Sequence, residues 1–445
     1  MKNIPAFPYF PVQFDKEAKL FSPAEVDALT SHLGQAHTTD LIVISHGWNN
    51  DMTEADALYE EFFSNAADLV AKGKVPAVAG RKFAVMGVLW PSKKFADKEL
   101  IPSGAAGIAS TIEVAELRTK LDALADAFDT LDATGKIQQL KALLPKLEDS
   151  DAACREFAEV ARSLVQPSTG DDEDGSRDFM TMKPLDLFKA LTQPISYVAV
   201  QAPDTSGGAA GLGIGIGIET GNAAGLGDFV SGVLSGARNL LNLTTYYQMK
   251  ERAGRIGAEG VNPILRQIRA AHPALRIHLA GHSFGGRVVT AAVAGVDDAT
   301  VLSANSMSLL QAAFSHHGFA TNWDGKGGNG FFRRVVGRNA ISGPVIITCT
   351  SNDRAVGIAY PIASLVAGQT AAGLGDKDSK YGGIGRNGAQ KTPEAVDSEM
   401  VEDGAPYALQ PGKLHNLNAD EFVKDHGDVS NPCVAYAVLS AVAAT

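Results

Sequence analysis

Short runs dominated by apolar residues recur along the chain and predict the strands of a buried sheet. Most of them lack the strict alternation of apolar and polar positions that marks a half-exposed strand, and several are rich in β-branched residues. Strands buried on both faces have this composition, which is typical of parallel sheets. The runs are residues 41–45, 83–90, 275–280, 309–314, 344–350 and 413–417.

A helical pattern dominates the residues between the second and third of these runs. Apolar residues recur at alternating steps of three and four from Val114 to Leu131, and Gly135 is expected to end this helix. Two further helices are predicted, one from Ile137 to Pro145 and one from Phe157 to Pro167.

The helix that leads into the run 275–280 is expected to begin near Thr244, with a break around residues 257–260. Residues 93–242 therefore form an insertion of roughly 150 residues, whereas a connection of a few residues is usual. We interpret this insertion as a mainly helical cap whose apolar helix face packs within the chain. A homodimer interface and a lid over an apolar substrate are the alternatives.

Glycine, alanine, leucine and isoleucine dominate residues 206–241, the second half of the insertion. The segment Gly211–Gly217 lacks the spacing of a dinucleotide-binding loop, and no Lys-Ser or Lys-Thr pair follows it, so nucleotide binding has little support. The apolar stretch 207–218 is too short for a membrane-spanning helix, which takes about 20 residues. We therefore expect no transmembrane segment.

Composition and charge exclude several other classes of protein. A net charge of −11 over 445 residues argues against nucleic acid as a partner, because a basic stripe is the usual footprint of such binding. The acidic run 171–174 is interpreted as a solvated loop. Three scattered cysteines indicate reduced thiols, and no signal peptide is evident, so we expect a cytoplasmic protein unless another route exports it.

Metal binding is not expected either. His278 and His282 are four residues apart, which is the spacing of a helical zinc pair, but their segment is predicted as a strand and a turn. No cofactor is implied by any other motif.

The sequence Gly-His-Ser-Phe-Gly-Gly, residues 281–286, follows the run 275–280 directly and predicts a nucleophile elbow at Ser283. A serine on a sharp strand-to-helix turn has a strained backbone, and glycines two residues before and after it remove side chains that would collide with the neighbouring backbone. Residues 287–294 can continue as a helix whose dipole points its positive end at Ser283. The alternative is an ordinary glycine-rich turn.

A second polar loop follows the run 41–45. Here His46 and Gly47 precede Trp48, and the main-chain N–H groups of Trp48 and Phe284 are the candidates for an oxyanion hole. The alternative is that His46 and Gly47 simply end a strand. His46 and His282 are also candidate residues of the substrate pocket.

These elements resemble the α/β-hydrolase superfamily, in its Ser-His-Asp esterase and lipase branch. Members of that family carry the oxyanion loop, the nucleophile, the acid and the histidine in this order, each after a strand of the sheet. Asp353 follows the run 344–350 as the family's acid does, and His426 follows the run 413–417 as its histidine does.

The resemblance implies an α/β fold, with an α/β-hydrolase core made of a mostly parallel sheet flanked by helices and a large helical cap insertion. Residues 1–92 would be the first part of the core with the oxyanion loop, residues 93–242 the cap, and residues 243–445 the second part of the core. The interval from Asp353 to His426 is longer than in the simplest members and contains a predicted helix at residues 358–369.

The resemblance also implies a serine hydrolase that cleaves carboxylic esters without a cofactor. Ser283 would attack the carbonyl, His426 would carry its proton, and Asp353 would hold the imidazole. By its composition and position, the segment 206–241 is a candidate for a flexible apolar wall that accommodates an acyl chain or another hydrophobic ester.

Alternatives remain for both the residues and the function. His415, His316 and His317 are other candidates for the base, and His316 and His317 could line the pocket instead. Asp353 could be an ordinary turn residue. The protein could be an amidase or peptidase with the same triad, or a non-catalytic scaffold whose insertion binds a partner or a membrane surface.

Overall fold

The computed structural model describes residues 2–4, 6–48, 50–92, 109–125, 127–165, 172–192, 232–353 and 377–445. In these residues one sheet has nine strands. They are β1 (Lys2–Ile4), β2 (Phe7–Gln13), β3 (Asp40–Ser45), β4 (Phe83–Leu89), β5 (Arg276–His282), β6 (Ser306–Leu310), β7 (Val345–Cys349), β8 (Ala395–Glu399) and β9 (Leu414–Asn418).

The described helices alternate with the strands through much of the chain. They are α1 (Pro23–Gln35), α2 (Met52–Ala71), α3 (Ala109–Leu124), α4 (Ala133–Leu143), α5 (Asp151–Arg162), α6 (Ser176–Thr181), α7 (Pro184–Leu191), α8 (Gly232–Arg255), α9 (Asn262–Ala271), α10 (Phe284–Ala294), α11 (Arg333–Gly337), α12 (Ile384–Asn387) and α13 (Pro432–Ala443). None of them is both long enough and apolar enough to cross a membrane.

The strand order in the sheet is β1-β2-β4-β3-β5-β6-β7-β9-β8. The pairing of β1 with β2 is antiparallel, and the others are parallel. An α/β fold with a mostly parallel sheet flanked by helices is therefore confirmed. Helices α2 and α13 cover one apolar cluster of the sheet, and α10 packs against β3 and β5.

Five of the six predicted strands are present with ends that differ by one or two residues. The run predicted at 309–314 is shifted, because the strand there spans Ser306–Leu310, and three other strands were not predicted. Strand β2 contains Pro8 and Pro11, and proline ordinarily argues against a strand inside a sheet. Strand β8 is short, charged and largely exposed, as suits an edge strand, and its pattern carries little apolar signal.

Contacts divide the chain into two compact units. The first comprises residues 1–93, 252–357 and 382–445 and contains the sheet. The second comprises residues 94–251 and 358–381, and its described part is helical. The predicted domain boundaries stay a prediction.

Within the second unit, the prediction of one helix from Val114 that ends at Gly135 is wrong. Helix α3 ends at Leu124, Gly135 lies in the first turn of α4, and Leu131 is fully exposed. Tertiary contacts explain the interruption, because Phe128 is buried and Asp129 accepts a hydrogen bond from Gln248 of α8 at 2.9 Å.

The prediction of a solvated loop is wrong for the last two residues of the acidic run. Glu173 and Asp174 are buried, and Asp174 forms an ion pair with Lys250 in which both side chains are 2 % exposed. The Asp174 carboxylate also accepts the main-chain N–H of Ser176. Lys250, 76 residues along the chain, pairs with Asp174 inside the fold, and a count of neighbouring charges in the sequence does not reveal such a partner.

Two further predictions concern the segments around α8. Helix α8 begins at Gly232, which is twelve residues before the predicted start near Thr244. The predicted break at residues 257–260 is instead a single π-helical turn from Ile256 to Val261. Of the proposed apolar wall at residues 206–241, residues 206–231 lie outside the described residues, and residues 232–241 belong to helix α8. The predicted helix at residues 358–369 also lies outside the described residues.

Candidate active site

Strand β5 ends in a strained turn at Ser283, and α10 begins at the next residue. Ser283 has φ 55° and ψ −125°, a conformation that costs on the order of 1–3 kcal/mol and is typical of functional sites. A Cβ atom at Gly281 would lie 2.3 Å from the Gly285 carbonyl oxygen, and one at Gly285 would lie 2.0 Å from the Ser45 carbonyl oxygen. Both glycines therefore serve the close approach that their spacing predicts.

Ser283, His426 and Asp353 form a continuous hydrogen-bonded chain. The Nε2 atom of His426 lies 2.9 Å from Ser283 Oγ, and its Nδ1 atom lies 2.8 Å from Asp353 Oδ2. Asp353 is fully buried, Ser283 is 2 % exposed and His426 is 9 % exposed. His426 lies 143 residues from Ser283 and 73 residues from Asp353 in the chain, and the three side chains meet with the geometry of a nucleophile, a base and an orienting carboxylate.

The loop that carries Asp353 is fixed by residues that sequence reasoning missed. Asp420 accepts hydrogen bonds from Thr350 Oγ1 at 2.8 Å and from the Ser351 N–H at 2.7 Å. Arg386 donates to the Ser351 carbonyl oxygen at 2.6 Å. No local motif marks these supports, because Asp420 lies about seventy residues from the loop it holds.

The loop that carries His426 joins β9 to α13. Its own turns shape it: the Gly427 N–H donates to Asp425 Oδ1 at 2.8 Å, and Asn431 caps α13 through the Val434 N–H. One contact reaches the elbow, since Nε2 of His282 lies 2.8 Å from the carbonyl oxygen of His426.

The loop after β3 lies directly against the nucleophile. A Cβ atom at Gly47 would be 2.6 Å from the Cβ of Ser283 and 3.2 Å from its Oγ, so only glycine permits this approach. The rings of Trp48 and Phe284 are 5.9 Å apart. The two residues nominated for an oxyanion hole are thus neighbours beside Ser283.

His46 holds the backbone of this loop. Its Nε2 atom accepts the Trp90 N–H at 3.2 Å, so the ring proton is on Nδ1, which donates to the Gly47 carbonyl oxygen at 2.9 Å. The ring stacks on Trp90, and the His46 N–H donates to the hydroxyl of Tyr59. Burial lowers the pKa of His46 to about 4, so the ring is neutral near pH 7. Trp90 and Tyr59 were not predicted as part of the site.

The other candidate histidines make different contacts. His415 Nε2 accepts the Gln410 N–H at 2.9 Å, and His316 Nδ1 accepts a hydrogen bond from Asn387 at 3.1 Å. His317 stacks on Trp323, with ring centroids 6.0 Å apart. Of the candidate histidines, His426 is the one whose Nε2 atom lies 2.9 Å from Ser283 Oγ, and contact of His316 or His317 with a substrate stays a prediction.

Comparisons with protein-family models, with curated proteins and with solved structures gave no match for this chain. The chemistry of the site is therefore inferred from its geometry. A strained, buried serine beside an imidazole that is itself held by a buried carboxylate has the arrangement required for acyl transfer.

Proposed function

We propose that this protein is a serine hydrolase of the α/β-hydrolase type that cleaves carboxylic esters through an acyl-enzyme intermediate. The observation that carries the proposal is the chain of hydrogen bonds from Ser283 Oγ through His426 to Asp353, at 2.9 and 2.8 Å. The strained backbone of Ser283 and its place between a strand and a helix N-terminus support the same role.

In the first half of the reaction, Ser283 Oγ attacks the ester carbonyl while His426 Nε2 takes the hydroxyl proton. The tetrahedral intermediate collapses when His426 returns that proton to the leaving alcohol, which leaves an ester of Ser283. Asp353 holds the Nδ1–H tautomer of the imidazole and stabilises the imidazolium. In the second half, water attacks the acyl-enzyme with His426 again as base, and the acid and free Ser283 are released.

The main-chain N–H groups of Trp48 and Phe284 are proposed as the donors to the intermediate's oxyanion. Support comes from the close packing of Gly47 on Ser283 and from the position of Phe284 at the first turn of α10. The helix dipole adds favourable potential at this end. Donors that are fixed before the reaction begins contribute about 3–4 kcal/mol each to such transition states.

The predicted cap, residues 93–242, is proposed to select the acyl group. Its glycine-rich and apolar part, residues 206–241, suits a hydrophobic ester. Removing residues 206–228 from it is expected to change the relative rates across a series of acyl esters of increasing length. An unchanged chain-length preference in a folded truncated protein would contradict this part of the proposal.

The proposal is tested by labelling the full chain with a fluorophosphonate probe and mapping the modified residue by mass spectrometry. Hydrolysis of short and long p-nitrophenyl esters, and of the matching anilides, is measured in parallel. We expect modification at Ser283 alone, faster turnover of esters than of anilides, and loss of both labelling and turnover in Ser283→Ala.

A matched control is His415→Gln, which changes a buried histidine that bonds to the backbone of another loop. We expect it to keep its activity, and a large loss of kcat would instead favour His415 as the base. Absence of labelling and turnover in the folded wild type would contradict the proposed function and favour a binding scaffold.

A further inference from the structure

His282 is a buried side chain of the elbow whose hydrogen bond reaches the loop of the proposed base. It is 9 % exposed, and its Nε2 atom lies 2.8 Å from the main-chain carbonyl oxygen of His426. The two imidazole rings pack with their centroids 4.9 Å apart at an angle of 45°. A carbonyl oxygen can only accept a hydrogen bond, so the Nε2 atom of His282 must carry the proton.

This donor is held in one protonation state. The Nδ1 atom of His282 is buried and has no hydrogen-bond partner in the part of the chain that the structure describes. A second proton there would create a buried cation with no acceptor. Burial, together with the positive charge of a protonated His426, lowers the pKa of His282 to about 3. His282 is thus a neutral Nε2–H donor throughout the pH range in which a histidine base titrates.

The loop of His426 has no comparable tie to the elbow from its own turns. Those turns join Gly427 to Asp425 and Val429 to Gly427, within a few residues of one another. The bond from His282 instead spans 144 residues and joins the main chain of the loop to the residue before Ser283. The side chain and the backbone of His426 are therefore both hydrogen-bonded to the same strained turn.

We propose that His282 is a positioning residue for the base: by donating to the His426 carbonyl oxygen, it fixes the distance between the imidazole and Ser283. This inference rests on the proposed function. An imidazole at the end of a surface loop could move without breaking its bond to Asp353, and a displacement of about 1 Å can cost about 10²-fold in rate. A donor attached to the elbow itself prevents that movement.

Two variants separate the donor from the ring. His282→Phe keeps an aromatic ring against His426 but removes the N–H, and His282→Gln removes the ring but retains an amide N–H at a similar reach. We expect His282→Phe to lower kcat for p-nitrophenyl acetate by about 10²-fold with little change in KM. We expect His282→Gln to recover most of that loss.

The rate of labelling of Ser283 by the fluorophosphonate should follow the same order, with wild type fastest and His282→Phe slowest. Equal kcat and equal labelling rates in wild type and His282→Phe would overturn the positioning role while leaving the proposed function intact. Equal losses in the two variants would also overturn it, because they would show that the ring matters rather than the donor. Absence of Ser283 labelling in the wild type would overturn the proposed function, and this inference with it.

A measurement on the unsubstituted protein covers the case in which a variant does not fold. Proton–nitrogen correlation spectra of histidine-labelled full-length protein report the tautomer of each imidazole. His282 is expected to give the Nε2–H pattern without titration from about pH 5 to about pH 8. An Nδ1–H pattern, or a titration in this range, would overturn the inference whatever the activity.

Discussion

Acid should destabilise this protein through the two neutral histidines that flank Ser283. Burial lowers the pKa of His282 from 6.5 to about 3 and that of His46 from 6.5 to about 4. Below pH 6.5 the unfolded chain binds a proton at each position, and the folded protein does not until the pH reaches its lower pKa. The free energy of unfolding that each neutral ring contributes is therefore complete above pH 6.5 and is lost as the pH falls.

The loss of unfolding free energy follows from how far the pH falls below 6.5 while each folded histidine stays neutral. One pKa unit corresponds to about 1.4 kcal/mol, so each histidine should lower the free energy of unfolding by about 2 kcal/mol between pH 7 and pH 5. Replacing His282 by glutamine removes the contribution of His282 to this pH dependence and leaves the contribution of His46. The loss of stability between these two pH values should thus be about 2 kcal/mol smaller in His282→Gln than in wild type.

The assay is urea unfolding at pH 7 and at pH 5, followed by tryptophan fluorescence, for wild type, His282→Gln and His37→Asn. The last variant replaces an exposed histidine, and asparagine suits the positive φ of that position, so it should keep the wild-type pH dependence. Other buried histidines contribute equally to all three proteins and cancel. A pH dependence in His282→Gln equal to that of wild type would refute the assignment of His282 as a buried neutral ring.

Three further outcomes are expected. Gly285→Ala should destabilise the fold by about 3 kcal/mol, because the new Cβ would lie 2.0 Å from the Ser45 carbonyl oxygen. Thermal unfolding measures this loss, and the control is Gly337→Ala, whose new Cβ would meet no atom within 4 Å. Asp353→Asn should lower kcat for p-nitrophenyl acetate by about 10⁴-fold with a modest change in KM, and full activity would contradict its role. Lys250→Met should cost about 3–5 kcal/mol in urea unfolding by removing the buried cation that pairs with the Asp174 carboxylate, and adding Asp174→Asn should restore most of it.

The parts of the fold and site that were predictable are those with a local signal. The strand before Ser283, the glycines around it and the loop after β3 are each encoded within a few consecutive residues, so pattern and spacing sufficed. Asp353 and His426 were nominated by their order along the chain, and the two side chains lie 2.8 Å apart.

The parts that were missed depend on contacts between distant residues. Asp420 holds the loop of Asp353 from 70 residues away, and Tyr59 bonds to His46 from another element. Lys250 turns Asp174 inward from 76 residues away, although the run of acidic residues alone indicates solvation. Such partners leave no periodic or compositional trace, because each is a single residue whose role depends on the fold that is already formed.

The strand order explains why the site lies between the loops after β3 and β5. Along the sheet, the chain proceeds outward from β3 to β4 on one side and then returns to place β5 on the other side of β3. The chain leaves the carboxyl end of β3 toward one side of the sheet and leaves the carboxyl end of β5 toward the other side. Ligand sites in open α/β sheets lie in the crevice between two such loops, where the strand order changes direction. Ser45 pairs with Gly281 at this edge, which brings the two loops level with each other. Their proximity explains the need for glycine at position 47, and it favours the proposal that a main-chain N–H of this loop, rather than a specific side chain, serves as an oxyanion donor.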